Sequence, residues 1–155
     1  MRKTTFGLRC SVARSLEIIG EWWTPLIVRE AFFGTRRFVD FQNNLGIAAG
    51  ILATRLAKLV EAGVFVHAEP ATGAKHMEYQ LTEKGKELFP VIVALMQWGD
   101  RWETDRHGPP VRIVDKKSLT EVDRIVVRSS RGRILEWEDV EVVIPSKHTN
   151  NSKCK

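Results

Sequence analysis

Residues 47–62 read IAAGILATRLAKLVEA, and their periodicity leaves the chain few folds to choose from. Ile51, Leu52, Leu56, Leu59 and Val60, with the stem of Arg55, recur at helical spacing and form one apolar stripe. Gly46 before the stripe and Gly63 directly after it are the expected start and stop. The opposite face carries Ala49, Gly50, Ala53, Thr54 and Lys58, slim and polar to basic. A helix with so thin a face fits a DNA major groove. Two β-rich segments follow, Val64–Glu69 and Met77–Leu81, separated by a Pro/Gly-bearing turn. Helix then hairpin is the order of a reading helix and its wing. The pattern therefore predicts an α+β chain built on a winged helix-turn-helix.

The flanking sequence supplies the other parts. Ser11 is placed to cap a helix running to Ile19, with Val12, Ala13, Leu16 and Ile19 inward and Gly20 ending it. Thr24-Pro25 pairs a capping hydroxyl with proline at the first helical position, opening a second helix with Leu26, Ile27, Phe32 and Phe33 in the core. Thr35–Arg37 leads into a third helix, FVDFQNNL, whose Phe38, Phe41 and Leu45 follow the i, i+3, i+7 pattern. Arg36 and Arg37 stand at its amino end, where free N–H groups and the helix dipole favour phosphate. Downstream, Thr82 caps the next helix, with Glu83 matching its dipole. From Glu87 to Asp105 a stripe of Leu88, Ile92, Leu95, Trp98 and Trp102 is interrupted only by Pro90. Val91 and Met96 make it broader than one packed face requires. Either it folds back over its own domain or a second copy covers it; the shortness of the chain favours the second copy.

These elements define a first unit over residues 8–106. His107-Gly108-Pro109-Pro110 is a boundary by composition. Beyond it, Val111–Val114, Ile125–Arg128, Ile134–Trp137 and Val140–Ile144 are short, β-rich and separated by polar turns, predicting a small antiparallel extension over 107–145. Residues 146–155, SKHTNNSKCK, read as a disordered tail.

Bulk properties narrow the function. A chain of 155 residues, 43% hydrophobic and 28% charged, predicts a globular protein with a real core. No apolar run approaches a membrane span, and the basic amino terminus lacks the apolar run of a secretory signal. Two cysteines, Cys10 and Cys154, are too few for a disulfide framework, so a reducing cytoplasm is expected. The net charge of +5 is unevenly spread: nine Lys/Arg stand against four Asp/Glu over residues 1–58, five against eight over 59–106, and ten against seven over 107–155. The surplus coincides with the helix-turn-helix, as a polyanion partner requires. His67, His76, His107 and His148 are not at metal-ligand spacing, and no Gly-rich loop follows a strand, so neither a metal nor a nucleotide cofactor is expected.

Several marks in order resemble the HxlR-type winged-helix transcriptional regulators. They are Cys10 before the first helix, Gly20 with Trp23-Thr24, Gly34 followed by Arg36-Arg37-Phe38, Arg55-Leu56 with Glu61-Ala62-Gly63, and Glu78-Tyr79-x-Leu81-Thr82-x-x-Gly85. The resemblance covers roughly residues 8–105. It implies a homodimer on near-palindromic double-stranded operator DNA, with no enzymatic activity. Dimerisation would run through the first and last helices, hence Leu16 with Leu88, Ile92, Leu95, Trp98 and Trp102. It also implies backbone contacts from Arg36 and Arg37, Ala49, Gly50, Ala53, Thr54 and Arg55 on or beside the groove-facing surface together with Lys58, and wing contacts from Lys75 and His76.

The chain departs from that family at Ala49 and Gly50, where a basic or polar residue is common, and at Trp22, where a basic one is. With Ala53 also slim, the helix offers little for bidentate base contacts, so phosphate contacts and DNA shape would dominate. The same departure keeps open a winged-helix module that binds protein instead. The extension resembles a zinc ribbon, but Arg128 and Arg131 stand where a Cys-x-x-Cys pair would be, so no metal is expected. Cys10 has two readings. At a helix amino end beside Arg9 and Arg14 its thiolate would be stabilised, as a redox or electrophile sensor needs. Alternatively it is a small packed thiol at an interface. A thiol-dependent enzyme would rest on Cys10 alone, with no orienting third group or oxyanion motif. Any small-molecule effector, and the role of Trp22, stay open.

Overall fold

The computed structural model describes residues 10–70, 77–103 and 106–143. Helices α1 (Ser11–Ile19), α2 (Trp23–Phe32), α3 (Phe38–Leu45) and α4 (Ala49–Glu61) precede a hairpin of β1 (Phe65–Ala68) and β2 (Glu78–Leu81). Then come a single turn α5 (Glu83–Lys86), the long α6 (Phe89–Trp102), a second hairpin β3 (Val127–Arg128) and β4 (Ile134–Leu135), and a 3₁₀ turn at Trp137–Asp139. This is the α+β winged-helix order expected. β1 and β2 pair antiparallel from Phe65↔Leu81 to Ala68↔Glu78.

The core sits where α2, α3, α4 and α6 meet the base of the wing. Ile27, Val28, Phe41, Leu52, Leu56, Leu59, Val64 and Phe65 are all but sealed from solvent. Phe41, Phe65 and Tyr79 pack edge to face, with ring centroids 6.3–6.5 Å apart, and so join α3 to both wing strands. Burial raises the Tyr79 phenol above its ordinary pKa, keeping it neutral.

Several boundaries differ from expectation, each for a local reason. Cys10, not Ser11, caps α1: its backbone is still extended, and its thiol accepts from the Ala13 N–H at 3.4 Å. Thr24 does not cap α2, which begins at Trp23; Thr24 is buried inside the first turn, while Phe33 is exposed. Gly46 ends α3 in the left-handed region (φ 61°) rather than opening α4, and Ile47 after it is buried. Gly63 (φ 69°) follows α4 as predicted. Ile51 is exposed, so the inward stripe of α4 is Leu52, Leu56 and Leu59.

The expected long helix divides into α5 and α6, because proline is tolerated only in a first turn, and Pro90 lies in the first turn of α6. Thr82 caps α5 as expected, accepting from the Gly85 N–H while its hydroxyl donates to the Gly63 carbonyl at 2.6 Å. A Cβ at Gly85 would collide with the Val64 carbonyl, so only glycine fits there. The stripe also splits. Ile92 is buried and Leu88 half-buried in the chain's own core, a correction to their place on a dimer face. Leu95, Trp98 and Trp102 remain exposed. On α1, Val12 and Leu16 are exposed rather than inward, and no α1 residue is buried.

The extension is thinner than predicted. Val114 and Glu121 form a lone bridge, Trp137 lies in the 3₁₀ turn, and 140–143 are not strand. None of its described residues is buried. Polar clasps shape it instead. Asp115 accepts from the Ser118 and Lys117 N–H groups, and Asp139 accepts from the Glu136 N–H and from Arg133. These bonds hold both carboxyls below the ordinary carboxylate pKa.

Two predictions follow from this packing. Leu56→Ala should cost about 2–5 kcal/mol in urea unfolding, since it opens a sealed core position, whereas Ile51→Ala should cost less than about 1 kcal/mol. Equal costs would contradict the placement of α4. Because the folded pKa values of Asp115 and Asp139 are depressed, their contribution is present above the unfolded carboxylate value and lost as pH falls through the folded one. Acid titration followed by NMR should therefore loosen the amides of Ser118 and Glu136 below the ordinary carboxylate range, before those of the core.

Candidate nucleic-acid interface

The helix-turn-helix is aimed by a buried carboxylate. Glu30 on α2 is 7% exposed; it accepts from Arg29 Nη2 at 2.8 Å, Asn44 Nδ2 at 3.0 Å and Thr35 Oγ1 at 3.3 Å. Asn44 also donates to Thr35 Oγ1 at 3.2 Å. One acidic group thus ties α2, the 34–37 turn and the far end of α3 together. Gly34 makes that turn with φ 99°, and the Arg36 carbonyl accepts the Tyr79 N–H at 2.8 Å, pinning the turn to β2. Sequence reasoning missed this cluster. Its signals were a glutamate inside the apolar run LIVREAFF and a second asparagine in FQNNL.

With their backbone fixed, Arg36 and Arg37 both present exposed side chains. Arg37 is the N-cap of α3 but makes no side-chain cap. Ala48 at the start of α4 makes none either. Both helix starts therefore keep unfilled N–H groups, which with the dipole favour an anion. Between the start of α3 and the wing lies a groove of about 420 Å³ lined by Arg37, Phe38, Val39, His67, Met77 and Tyr79. The His67 ring leans on Tyr79 at 4.8 Å.

Ala49, Gly50, Ala53, Thr54 and Lys58 lie together on the exposed face of α4. Among the described residues outside its own turn of helix, nothing lies within 4 Å of where a Gly50 Cβ would be. The Thr54 hydroxyl donates to the Gly50 carbonyl at 2.8 Å, which fixes its rotamer. Arg55 is not part of this face. Its side chain is 19% exposed and pairs with Glu21 at 3.0 Å, bracing α4 against the α1–α2 turn. The structure thus places Arg55 beside the exposed face of α4 rather than on it. Lys75 and His76 lie outside the described residues.

The remaining candidates lie apart from this face. Cys10 is exposed at the start of α1, and the Arg14 guanidinium donates to Ser11 Oγ at 3.0 Å. In the extension, Arg128 donates to the Gly132 carbonyl at 3.0 Å, closing the hairpin where a zinc ribbon would place a thiolate. Among the described residues no group of three or more His, Cys, Asp or Glu is placed to hold a metal. No helix among them is long and apolar enough to cross a membrane. Trp22, beside the half-buried Trp23, is exposed.

Comparison with known proteins bears on the whole of this architecture. Over 103 residues the chain is 50% identical to the HTH-type transcriptional regulators Rv3095 of Mycobacterium tuberculosis and Mb3122 of Mycobacterium bovis, covering 66% of this chain. The match spans 65% of the length of those relatives. The crystal structure of PA1607, a candidate transcription factor, superposes with a TM-score of 0.82 at 46% identity, over 88% of this chain and 96% of that one. That coverage reaches into the C-terminal extension. The redox regulator HypR in its reduced form is more distant, with a TM-score of 0.54 and 26% identity over 59% of this chain and 92% of its own. The profile of the HxlR-like helix-turn-helix proteins matches residues 18–107, and the chain belongs to that family.

Proposed function

We propose that the protein is a sequence-specific, DNA-binding transcription regulator that acts in the cytoplasm as a homodimer on a near-palindromic operator. One observation carries the reading: two exposed arginines stand at the uncapped start of α3, and the next helix, α4, has an exposed face that includes only the slim Ala49, Gly50, Ala53 and Thr54 over its first two turns beside Ile51. Arg36 and Arg37 serve the phosphates, as do Lys58 and the wing residues Lys75 and His76. The slim face of α4 allows close approach to the groove, where methyl contacts and DNA shape set the preference. Exposed Val12, Leu16, Leu95, Trp98 and Trp102 support pairing through α1 and α6. A two-fold pair places its reading helices in successive major grooves.

Gly50 separates groove approach from mere exposure. Gly50→Ala should stabilise α4 by about 0.5–1 kcal/mol, since a Cβ there meets nothing among the described residues outside its own turn. It should also weaken operator binding by about tenfold or more, as overpacking of a close contact does. Undiminished binding would place Gly50 away from DNA, and the face would then suit a protein partner.

Arg36→Ala and Arg37→Ala should weaken binding to every duplex alike. Each should flatten the slope of log affinity against log salt by about two, one phosphate contact per protomer. A salt series in electrophoretic or anisotropy assays reads this, and an unchanged slope would remove these arginines from the backbone. Trp98→Asp should convert a dimer to a monomer in sedimentation while leaving the fold intact. A variant that sediments like the parent protein would contradict pairing through α6.

A further inference from the structure

A second cavity, of about 310 Å³, lies between α6 and the extension and shares no lining residue with α3, α4 or the wing. Its walls include Val93, Met96, Ile113 and Val122. Its polar groups are nearly all engaged. Gln97 donates to the Asp123 carbonyl at 3.1 Å and accepts from the Ile125 N–H at 2.8 Å, which fastens the extension to α6. Arg112 pairs with Glu121 at 3.1 Å, so those two lining charges cancel. Asp100 is the exception: among the described residues its half-buried carboxylate has neither a hydrogen-bond donor nor a cation.

An open cleft with apolar walls and one unpaired carboxylate selects a particular chemistry. A neutral apolar molecule would leave the carboxylate without a partner, and an anion would be repelled by it. A compact cation on an apolar body satisfies both parts of the lining, because an ammonium supplies donors to Asp100 while its body displaces water from the walls. We infer that the cavity between α6 and the extension is a binding site for an amphiphilic monocation, with Asp100 as its counter-ion.

The probes are 4-phenylbutylammonium and its uncharged counterpart, 4-phenylbutanol, titrated calorimetrically into the full-length protein at neutral pH without DNA. The ammonium should bind about tenfold more tightly than the alcohol, the preference expected of one charge-assisted contact. Asp100→Asn should abolish that preference while leaving the weaker affinity for the alcohol unchanged. Val122→Trp, a change on an exposed segment that fills the cleft, should weaken both probes. Amide shifts on ammonium binding should centre on Val93, Met96 and Ile113. Equal affinity for the two probes, a preference that survives Asp100→Asn, or no binding of the ammonium at millimolar concentration would each overturn the assignment.

Discussion

Glu30 is the point on which the geometry of the helix-turn-helix turns. Burying a carboxylate is costly unless donors surround it, and here Arg29, Thr35 and Asn44 all converge on its two oxygens. The three donors come from three separate places in the chain, so satisfying the carboxylate sets α2, the turn and α3 in one relation. An apolar residue of similar size would fill the space without specifying the angle. The Tyr79 N–H then captures the Arg36 carbonyl, and the same turn is tied to the wing. The exposed arginines are presented from backbone held on both sides.

The second constraint is at the far end of α4. Thr82 and Lys84 donate to the Gly63 and Ala62 carbonyls at 2.6 Å, and Gly85 lets α5 press against Val64. These bonds take up carbonyls that a helix end leaves unpaired, and they fix where β1 departs. Arg55 braces the middle of the same helix against Glu21. α4 is therefore held at its middle and its end, while its start and outward face stay bare. A rigid helix with a bare face suits recognition by fit and charge, because little side-chain entropy is lost when Ala49, Gly50 and Ala53 are covered.

Where one physical rule governed, the sequence was legible to the residue. α3 begins and ends as predicted, because Phe38, Phe41 and Leu45 share one face and Gly46 alone can take the left-handed turn. Thr82 and Gly63 were equally legible. Where two rules competed, sequence reasoning chose wrongly. Ser11 is the better capping chemistry, yet the chain leaves its extended conformation at Cys10. Thr24-Pro25 has the form of a helix start, but α2 begins two residues earlier and Thr24 is buried in its first turn. Arg55 follows the exposed Ala53 and Thr54 in sequence, and only the fold reveals Glu21 beside it, 34 positions away. The Glu30 cluster left only separate signals, a glutamate in an apolar run and an asparagine in the next helix, because its partners come from two elements and a loop.

The exposed apolar residues of α6 bear on stability as well as on assembly. Ile92 and Val93 face the core while Leu95, Trp98 and Trp102 face outward, so a helix of 14 residues presents apolar groups on two sides. α1 has no buried residue and presents Val12 and Leu16 outward. α1 gains little from its own chain, because a helix of nine residues is marginal without a packed face, whereas α6 is anchored on one side only. A second copy covering both would add apolar burial at about 25 cal/mol per Å², and it would do so only for the folded chain. Arg55, braced against Glu21 in the turn directly after α1, links that turn to α4 through an ion pair rather than through the core.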